Sequence, residues 1–299
     1  MIVWGAETFA EHLAVASTRL GVSAFALAIL LAGAEPEELA TAVTASLRDA
    51  PAIALGDVIG ANVAICLVAL GVAAVITPVP FDRHVRRYAV AGVPTGAVAV
   101  VVAWDGRVGR LEGAALIALY AAFVVTIWLV EHRPPSLGET AELDHAPSAA
   151  GRVGRELILV VLGVAAMAGG ATALVEGIRR ISDVESTQTR LGLIVVGFAT
   201  AFELVVLAWS SARRGMTTAV VAGVIGSFTY NVTMTLGAGA VARPLTIADA
   251  GQLRVPWMMM LAALVAVLAL SLRGGRLGRR SGIALLALYP VFVVVVLAT

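Results

Sequence analysis

The sequence predicts an all-α polytopic membrane protein made of two inverted repeats of about five helices each. The chain is 60% hydrophobic and only 14% charged, which is more apolar than a soluble domain of this size needs. Apolar runs approaching the ~20 residues that cross ~30 Å of hydrocarbon recur along it. A pattern in residues 33–71 also returns in residues 198–237. Together these observations predict a duplicated membrane fold.

The first half, residues 1–132, contains four predicted spans. Residues 1–20 are too polar to cross the membrane, and we interpret them as an interfacial amphipathic helix. Pro36 interrupts the first span, because proline removes a backbone donor from the helix. The spans are residues 22–47, 52–76, 90–104 and 112–130.

The second half, residues 152–299, contains five predicted spans. They are residues 157–175, 191–212, 217–241, 255–272 and 283–297. The polar segment 133–151, which holds Pro134, Pro135 and Pro147, is a predicted linker. The first half is therefore one helix short, and its first helix is predicted to be missing or truncated. The chain would then have about nine or ten transmembrane helices.

The arginines predict the orientation in the membrane. All 21 basic residues are arginine, and the predicted spans place 13 on one face and 8 on the other. The face richer in arginine is expected to be cytoplasmic. This puts the linker inside and the C-terminus outside an integral membrane protein, with a bacterial plasma membrane as the expected location. The loop at Arg48 falls outside and the loop at Arg213 inside, so the two copies are inverted.

Acidic residues inside the repeated segments are the main functional signal. Glu38-Leu39 corresponds to Glu203-Leu204, and Val58-Ile59-Gly60 corresponds to Val224-Ile225-Gly226. The gap between these anchors is one residue longer in the second copy, so a shift of one residue would put Glu37 in place of Glu38. A carboxylate in a bilayer costs roughly 2.5–3.5 kcal/mol on insertion scales, and such groups usually line an ion pathway.

At these residues the sequence resembles the cation/calcium exchanger superfamily, whose best-known members are the sodium/calcium exchangers. That family has two inverted repeats, each with a GTSLPE-like motif and a GNxIGSN-like motif followed by an amide or acid. The first copy here reads GAEPEE over residues 33–38 and GDVIGAN over 56–62. The second reads FATAFE over 198–203 and GVIGS over 223–227. The resemblance covers most of the chain, with degraded motifs.

The resemblance implies a set of cation ligands. The glutamates of the family fall on Glu38 and Glu203, and the following amide or acid falls on Ile65 and Asn231. The serine of the second motif falls on Ala61 in the first copy, which is therefore poorer in oxygen. The predicted ligands of the transported cation are Glu35, Glu38, Asp57, Asn62, Thr200, Glu203, Ser227 and Asn231.

These residue types suit a hard cation. Ca²⁺ takes six to eight oxygens, including carboxylates, and two glutamates from opposed helices would nearly neutralise it. Hydroxyl, amide and carbonyl oxygens, the last freed by helix breaks, would complete the shell. Crowding and burial favour protonated carboxylates when the cation leaves, so protons are expected to compete.

The sequence therefore predicts an antiporter rather than an enzyme, exchanging Ca²⁺ for Na⁺ by alternating access. Its partners are inorganic cations and the lipid bilayer, with no cofactor and no nucleic acid. A cation/proton exchanger is an alternative, favoured by the extra acid Glu35 and by apolar Ala61 and Ile65. A non-transporting scaffold of the same fold is an alternative from another class, favoured by the missing helix and the asymmetric site.

Overall fold

The structure is a computed structural model that describes residues 1–19, 34–81, 83–131, 153–214, 217–272 and 274–298. These residues form ten helical segments and four two-residue strands. The predicted linker 133–151 and residues 22–33 of the predicted first span lie outside the described residues. The all-α polytopic architecture is confirmed, and within the described ranges six helices are long and apolar enough to span a membrane.

The first half supplies five helical segments. Helix α3 contains a π-helical turn at Ile65–Ala69. Strand β1 is Val79–Pro80 and strand β2 is Arg107–Val108. The helices are α1 Ile2–Arg19, α2 Pro36–Leu47, α3 Pro51–Ile76, α4 Arg83–Val102 and α5 Arg110–Glu131.

The second half repeats this order. Helix α7 contains a π turn at Gly192–Val196, and helix α8 contains one at Asn231–Thr235. Strand β3 is Leu245–Thr246 and strand β4 is Arg276–Leu277. The helices are α6 Val153–Ile181, α7 Glu185–Arg213, α8 (Thr217–Tyr230, the π turn and Leu236–Ala242), α9 Gly251–Leu272 and α10 Arg279–Ala298.

The two halves keep a constant register through their central helices. Helix α3 begins at Pro51 and α8 at Thr217, which is 166 residues later. The same interval separates the π turns that begin at Ile65 and Asn231, and the strands β1 and β3. The duplication seen in the sequence is therefore a duplication of helix starts, π turns and strand positions.

Each strand pairs with a strand of the other half. Strand β1 of the first half pairs antiparallel with β4 of the second, aligning Val79 with Leu277. Strand β2 of the first half pairs with β3 of the second, aligning Val108 with Leu245. Each pair is the symmetry counterpart of the other, as a two-fold relation between the halves requires.

Glycines allow close backbone contacts between helices of the two halves. A Cβ on Gly71 of α3 would lie 2.8 Å from Leu286, and one on Gly282 of α10 would lie 2.7 Å from the Gly71 carbonyl. In the symmetry-related contact, Cβ atoms on Gly113 and Gly237 would meet each other's carbonyl oxygens at 2.7 and 2.6 Å. Only glycine permits such close backbone approach, as is common between membrane helices.

The repeats run in opposite directions. Arg243, at the end of α8, pairs with Asp49, at the start of α3 (2.9 Å). Thr77, at the end of α3, donates to the carbonyl of Ala212 near the end of α7 (3.0 Å). Helix α3 therefore starts where α8 ends, and the inverted arrangement is confirmed.

The packing of helix α1 bears on the predicted first helix of the first half. It packs lengthwise against α6, and Cβ atoms on Gly5 and Gly163 would each lie 2.7 Å from the other's carbonyl oxygen. Such a reciprocal contact places α1 as the counterpart of α6. The first half therefore has its first helix, shorter than α6, and of the two predicted possibilities, a missing or a truncated first helix, the structure corresponds to the truncated one. The polar residue His12 takes part in this packing, because its Nδ1 lies 2.6 Å from Oε2 of Glu156 in α6.

Candidate functional site

Four acids of the first half lie in the protein interior. Glu35 is 5% exposed, Glu37 and Glu38 are 1% exposed, and Asp57 is 0% exposed. The glutamates surround the start of α2, and Asp57 lies in the middle of α3. Asp57 is flanked by Gly56 and Gly60, whose absent side chains let α3 approach the backbone of α7 at Gly192 and Leu193. The acids are thus buried by close helix packing.

Pro36 sets the direction of these side chains. It is the first residue of α2, a position where its missing donor costs little. Glu35 therefore precedes the helix as its N-cap residue, whereas Glu38 lies in its first turn. In the second half Phe202 takes the place of Pro36, and α7 runs unbroken through Glu203. No helix break supplies carbonyl oxygens there.

Three hydrogen bonds join predicted ligands of the two halves. The hydroxyl of Thr200 donates to Asp57 Oδ1 (2.8 Å), and the hydroxyl of Ser227 bonds to Glu35 Oε1. The amide nitrogen of Asn231 approaches Asn62 Oδ1 at 3.4 Å. The two predicted ligands outside these three bonds are Glu38 and the half-buried Glu203. Six of the eight predicted residues therefore meet in cross-half pairs.

Each of these pairs has an apolar symmetry counterpart. With the 166-residue interval, the counterparts of Asp57 and Thr200 are Gly223 and Ala34. Those of Glu35 and Ser227 are Ala201 and Ala61, and those of Asn62 and Asn231 are Phe228 and Ile65. In each pair of related positions, only one residue carries a polar side chain, so the interior is asymmetric.

The register also decides which glutamates correspond. The interval of 166 residues matches Glu37 with Glu203, whereas the sequence comparison matched Glu38 with Glu203. The same shift matches Glu38 with Leu204, a buried leucine. Helices α2 and α7 end at Leu47 and Arg213, which are also 166 residues apart. The one-residue alternative that replaces Glu38 by Glu37 is therefore the one the structure supports.

Some of the buried carboxylate oxygens have no protein partner. Both oxygens of Glu38, Oε1 of Glu37 and Oδ2 of Asp57 make no hydrogen bond. Among the described residues, no three Asp, Glu, His or Cys side chains converge closely enough to hold one metal ion. Two of the buried acids, Asp57 and Glu35, instead bond to hydroxyl groups of the second half, Thr200 and Ser227.

Two residues that the sequence did not single out extend the polar interior. Thr235 donates to Asn231 Oδ1 (3.3 Å), and Asn62 Nδ2 lies 3.7 Å from the sulfur of Met260. Thr235 lies four residues after Asn231, and this spacing could have signalled it. Met260 belongs to an apolar run without any such signal.

Comparisons with known proteins agree with this architecture. The family model described as sodium/calcium exchanger protein matches residues 1–129 and 156–298. An uncharacterized membrane protein of Methanocaldococcus jannaschii is 26% identical, covering 96% of this chain and 89% of the relative. The sodium/calcium exchanger MaX1 of Methanosarcina acetivorans is 23% identical, covering 98% of this chain and 95% of the relative.

A solved structure shares the fold. The sodium-calcium exchanger NCX_Mj, soaked with Na⁺ and Ca²⁺, superposes with a TM-score of 0.62 at 22% identity. The match covers 96% of this chain and 92% of that one. The family match over both halves, the inverted repeats and the buried acids between them lead to one conclusion: the chain belongs to the sodium/calcium exchanger family of cation antiporters.

Proposed function

We propose that this protein exchanges Ca²⁺ for Na⁺ across the membrane by alternating access, with Glu37 and Glu203 as the main charged ligands. The observation that carries the proposal is the set of hydrogen bonds that join buried acids of the first half to hydroxyl groups of the second, from Thr200 to Asp57 and from Ser227 to Glu35. Ca²⁺ prefers carboxylate and other hard oxygens. Thr200, Ser227 and Asn231 add hydroxyl and amide oxygens from the second half, and each bonds to a polar group of the first half.

The buried charge explains why transport would be an exchange. Among the described residues, Glu37, Glu38 and Asp57 have no ion pair with an arginine. An ionised carboxylate within a bilayer costs roughly 2.5–3.5 kcal/mol, so the interior needs cations at each stage of the cycle. A carrier that has released Ca²⁺ is then stabilised for its return by another cation.

Movement of the halves relative to each other is the physical basis of alternating access in inverted-repeat carriers. The cross-half bonds from Thr200 to Asp57 and from Ser227 to Glu35 would report such movement, because each joins the two halves. The names of the relatives, which include sodium/calcium exchangers, support the choice of Na⁺ and Ca²⁺.

The test is uptake of ⁴⁵Ca²⁺ by vesicles containing the purified full chain, with Na⁺ loaded inside. We expect uptake that stops when the Na⁺ gradient is dissipated and that is abolished in Glu203→Gln. The matched control is Glu112→Gln, since Glu112 is exposed and accepts a hydrogen bond from the Gly109 amide. Full uptake by Glu203→Gln would disprove the proposed mechanism.

Proton coupling is a second candidate, favoured by one observation. The positions of Ala61 and Ile65 offer no side-chain oxygen, while Glu35 adds a carboxylate that bonds Ser227. The same vesicles separate the two candidates when a proton gradient is imposed without Na⁺. Uptake driven by protons alone would replace Na⁺ as the counter-ion, and no uptake under either gradient would favour a non-transporting scaffold.

A further inference from the structure

A cavity of about 180 Å³ lies where the starts of α7 and α9 meet the end of α10. The start of α7 is tied to the segment before α9, because Glu185 accepts a hydrogen bond from the amide of Ala248 (2.8 Å). None of the predicted cation ligands lines this cavity, so ion exchange leaves it without a role. Its lining residues are Thr189, Arg190, Leu193, Gln252 and Val296.

Arg190 is the charged group of the cavity. The sequence places eight arginines on the membrane face where α7 starts, and two of them, Arg179 and Arg190, are partly buried. Arg179 donates to the carbonyl of Arg48 (2.9 Å). Arg190, in contrast, has no ion pair and no side-chain hydrogen bond within the described part of the chain. A guanidinium offers five N–H donors, so this one is available to an anion.

The neighbouring acids do not supply that anion. The carboxylate of Glu185 accepts from the amide of Ala248. Both oxygens of Asp249 are also engaged: Oδ1 accepts from the amide of Gly251 (2.9 Å), and Oδ2 from the side chain of the next residue (3.2 Å). The positive charge of Arg190 therefore remains uncompensated by its surroundings.

The other polar groups of the cavity offer acceptors. An ionised carboxylate only accepts hydrogen bonds, so the atom of Gln252 bonded to Asp249 is its NH₂ group, and its carbonyl oxygen remains as an acceptor. The hydroxyl of Thr189 donates to the carbonyl of Glu185 (2.9 Å), and its oxygen also remains as an acceptor. The cavity thus suits a ligand that combines an anion with hydroxyl donors.

The cavity lies at the level of the lipid headgroups. Arg190 is the sixth residue of α7, ~7.5 Å along the axis from its start, and the following residues 191–202 carry no charge. In α9, Gln252 lies two residues before Arg254, whose guanidinium lies 5.5 Å from the ring centre of Trp104. Trp104 is 40% exposed, and tryptophan is enriched at membrane–water interfaces.

The size of the cavity indicates the kind of ligand. Sites that enclose small molecules usually measure about 300–1,000 Å³, which is larger than this cavity. A phospholipid needs room for its headgroup alone, because its acyl chains stay in the bilayer. We propose that the cavity binds the headgroup of an anionic phospholipid of the phosphatidylglycerol class. Arg190 binds the phosphate, and the glycerol hydroxyls donate to Gln252 and Thr189.

The test is the thermal midpoint of the purified full chain in detergent, titrated with dioctanoyl phosphatidylglycerol, since a ligand of the native state raises stability by mass action. Phosphatidylmethanol keeps the charged diester without hydroxyls, and phosphatidylcholine has no net charge. We expect the tightest binding for phosphatidylglycerol. Equal binding of the three lipids would overturn the proposal. An equal effect of soluble glycerol phosphate would overturn the assignment to a lipid.

Variants locate the site. Arg190→Gln should weaken phosphatidylglycerol binding at least about tenfold, because a hydrogen bond to a charged group is lost. Arg180→Gln is the matched control, since the Arg180 side chain is 80% exposed, and it should bind as the wild type does. Equal weakening in both variants would show general charge attraction and refute the site.

Gln252→Met tests the hydroxyl contacts and serves if Arg190→Gln fails to fold. Methionine keeps the length of the side chain and removes the acceptor, so the preference for phosphatidylglycerol over phosphatidylmethanol should decrease while binding of both persists. An unchanged preference would remove Gln252 from the site and contradict the proposed headgroup. These measurements do not involve Ca²⁺ or Na⁺, so their outcome is independent of the proposed function.

Discussion

Thr200 of α7 donates a hydrogen bond of 2.8 Å to Asp57 of α3, so a hydroxyl of one half holds a buried carboxylate of the other. Thr200→Val keeps the shape of the side chain and removes the donor. A buried acceptor left unsatisfied costs about 1–3 kcal/mol, and we expect Na⁺-driven ⁴⁵Ca²⁺ uptake to fall by about tenfold. Thr200→Ser, the control, keeps the hydroxyl and should remain active. Equal uptake by the valine and serine variants would show that the bond has no part in transport.

The register between the halves predicts different roles for adjacent glutamates. Glu37 corresponds to Glu203, whereas Glu38 corresponds to Leu204. We therefore expect Glu37→Gln to abolish Ca²⁺ uptake at saturating Ca²⁺, and Glu38→Gln to retain uptake with an altered dependence on Na⁺. The measurement is the initial rate of uptake against each cation. The reverse order of effects would favour the register in which Glu38 matches Glu203.

Acidic solution should inhibit exchange, because protons compete with cations for carboxylate oxygens. Glu35 is one of the acids that interact with Glu37. In Glu35→Gln the loss of one negative charge lets the neighbouring carboxylate stay ionised in more acidic solution. We expect residual uptake whose pH of half-maximal rate lies below that of the wild type. An identical pH profile would place Glu35 outside the transport site.

Close packing of α3 on α7 predicts a loss of stability in Gly60→Ala. A Cβ at this position would lie 2.1 Å from the Leu193 carbonyl oxygen, and two backbones would have to move apart. Overpacking of this kind costs about 1–3 kcal/mol or more, which should lower the thermal midpoint of the detergent-purified protein. Gly177→Ala is the control, since a Cβ there meets nothing within 4 Å. Similar midpoints for both variants would contradict the close approach.

The contact between α1 and α6 predicts a role for His12. Its Nδ1 lies 2.6 Å from Oε2 of Glu156, which is 3% exposed as a residue. His12→Ala leaves this buried carboxylate without its partner, at a cost of about 1–3 kcal/mol. Amide hydrogen exchange should accelerate in both helices, while Glu156→Gln combined with His12→Ala should partly restore protection. No change in exchange would mean that packing alone holds the two helices together.

Much of the fold could be predicted because apolar run length and arginine bias reflect the membrane directly. The predicted span 52–76 and the helix Pro51–Ile76 differ by one residue at the start. The packing of α1 against α6 could not be predicted, because single-sequence polarity does not distinguish a side chain in water from one paired in the interior. His12 meets its partner 144 residues away, a distance that no local pattern reveals.

The candidate site was predicted in composition more than in arrangement. Buried Glu35, Glu38, Asp57, Thr200 and Ser227 follow from the cost of polar groups in lipid. The pairing of Asp57 with Thr200 could not be read from spacing, since it depends on how closely two helix backbones approach at Gly56 and Gly60. The match of Glu37 with Glu203 depends on the positions of the π turns, which the residue types alone do not indicate.

The one-sided placement of polar groups means that the halves are no longer interchangeable. Four of the buried acids come from the first half, whereas the second contributes Glu203 with Thr200, Ser227 and Asn231. An assembly of two first halves would crowd eight carboxylates around one axis with few hydroxyl donors. An assembly of two second halves would bring only two carboxylates, those of Glu203, to the candidate site. A homodimer of either half alone would therefore lack the combination of carboxylates and hydroxyl groups that the two halves provide together.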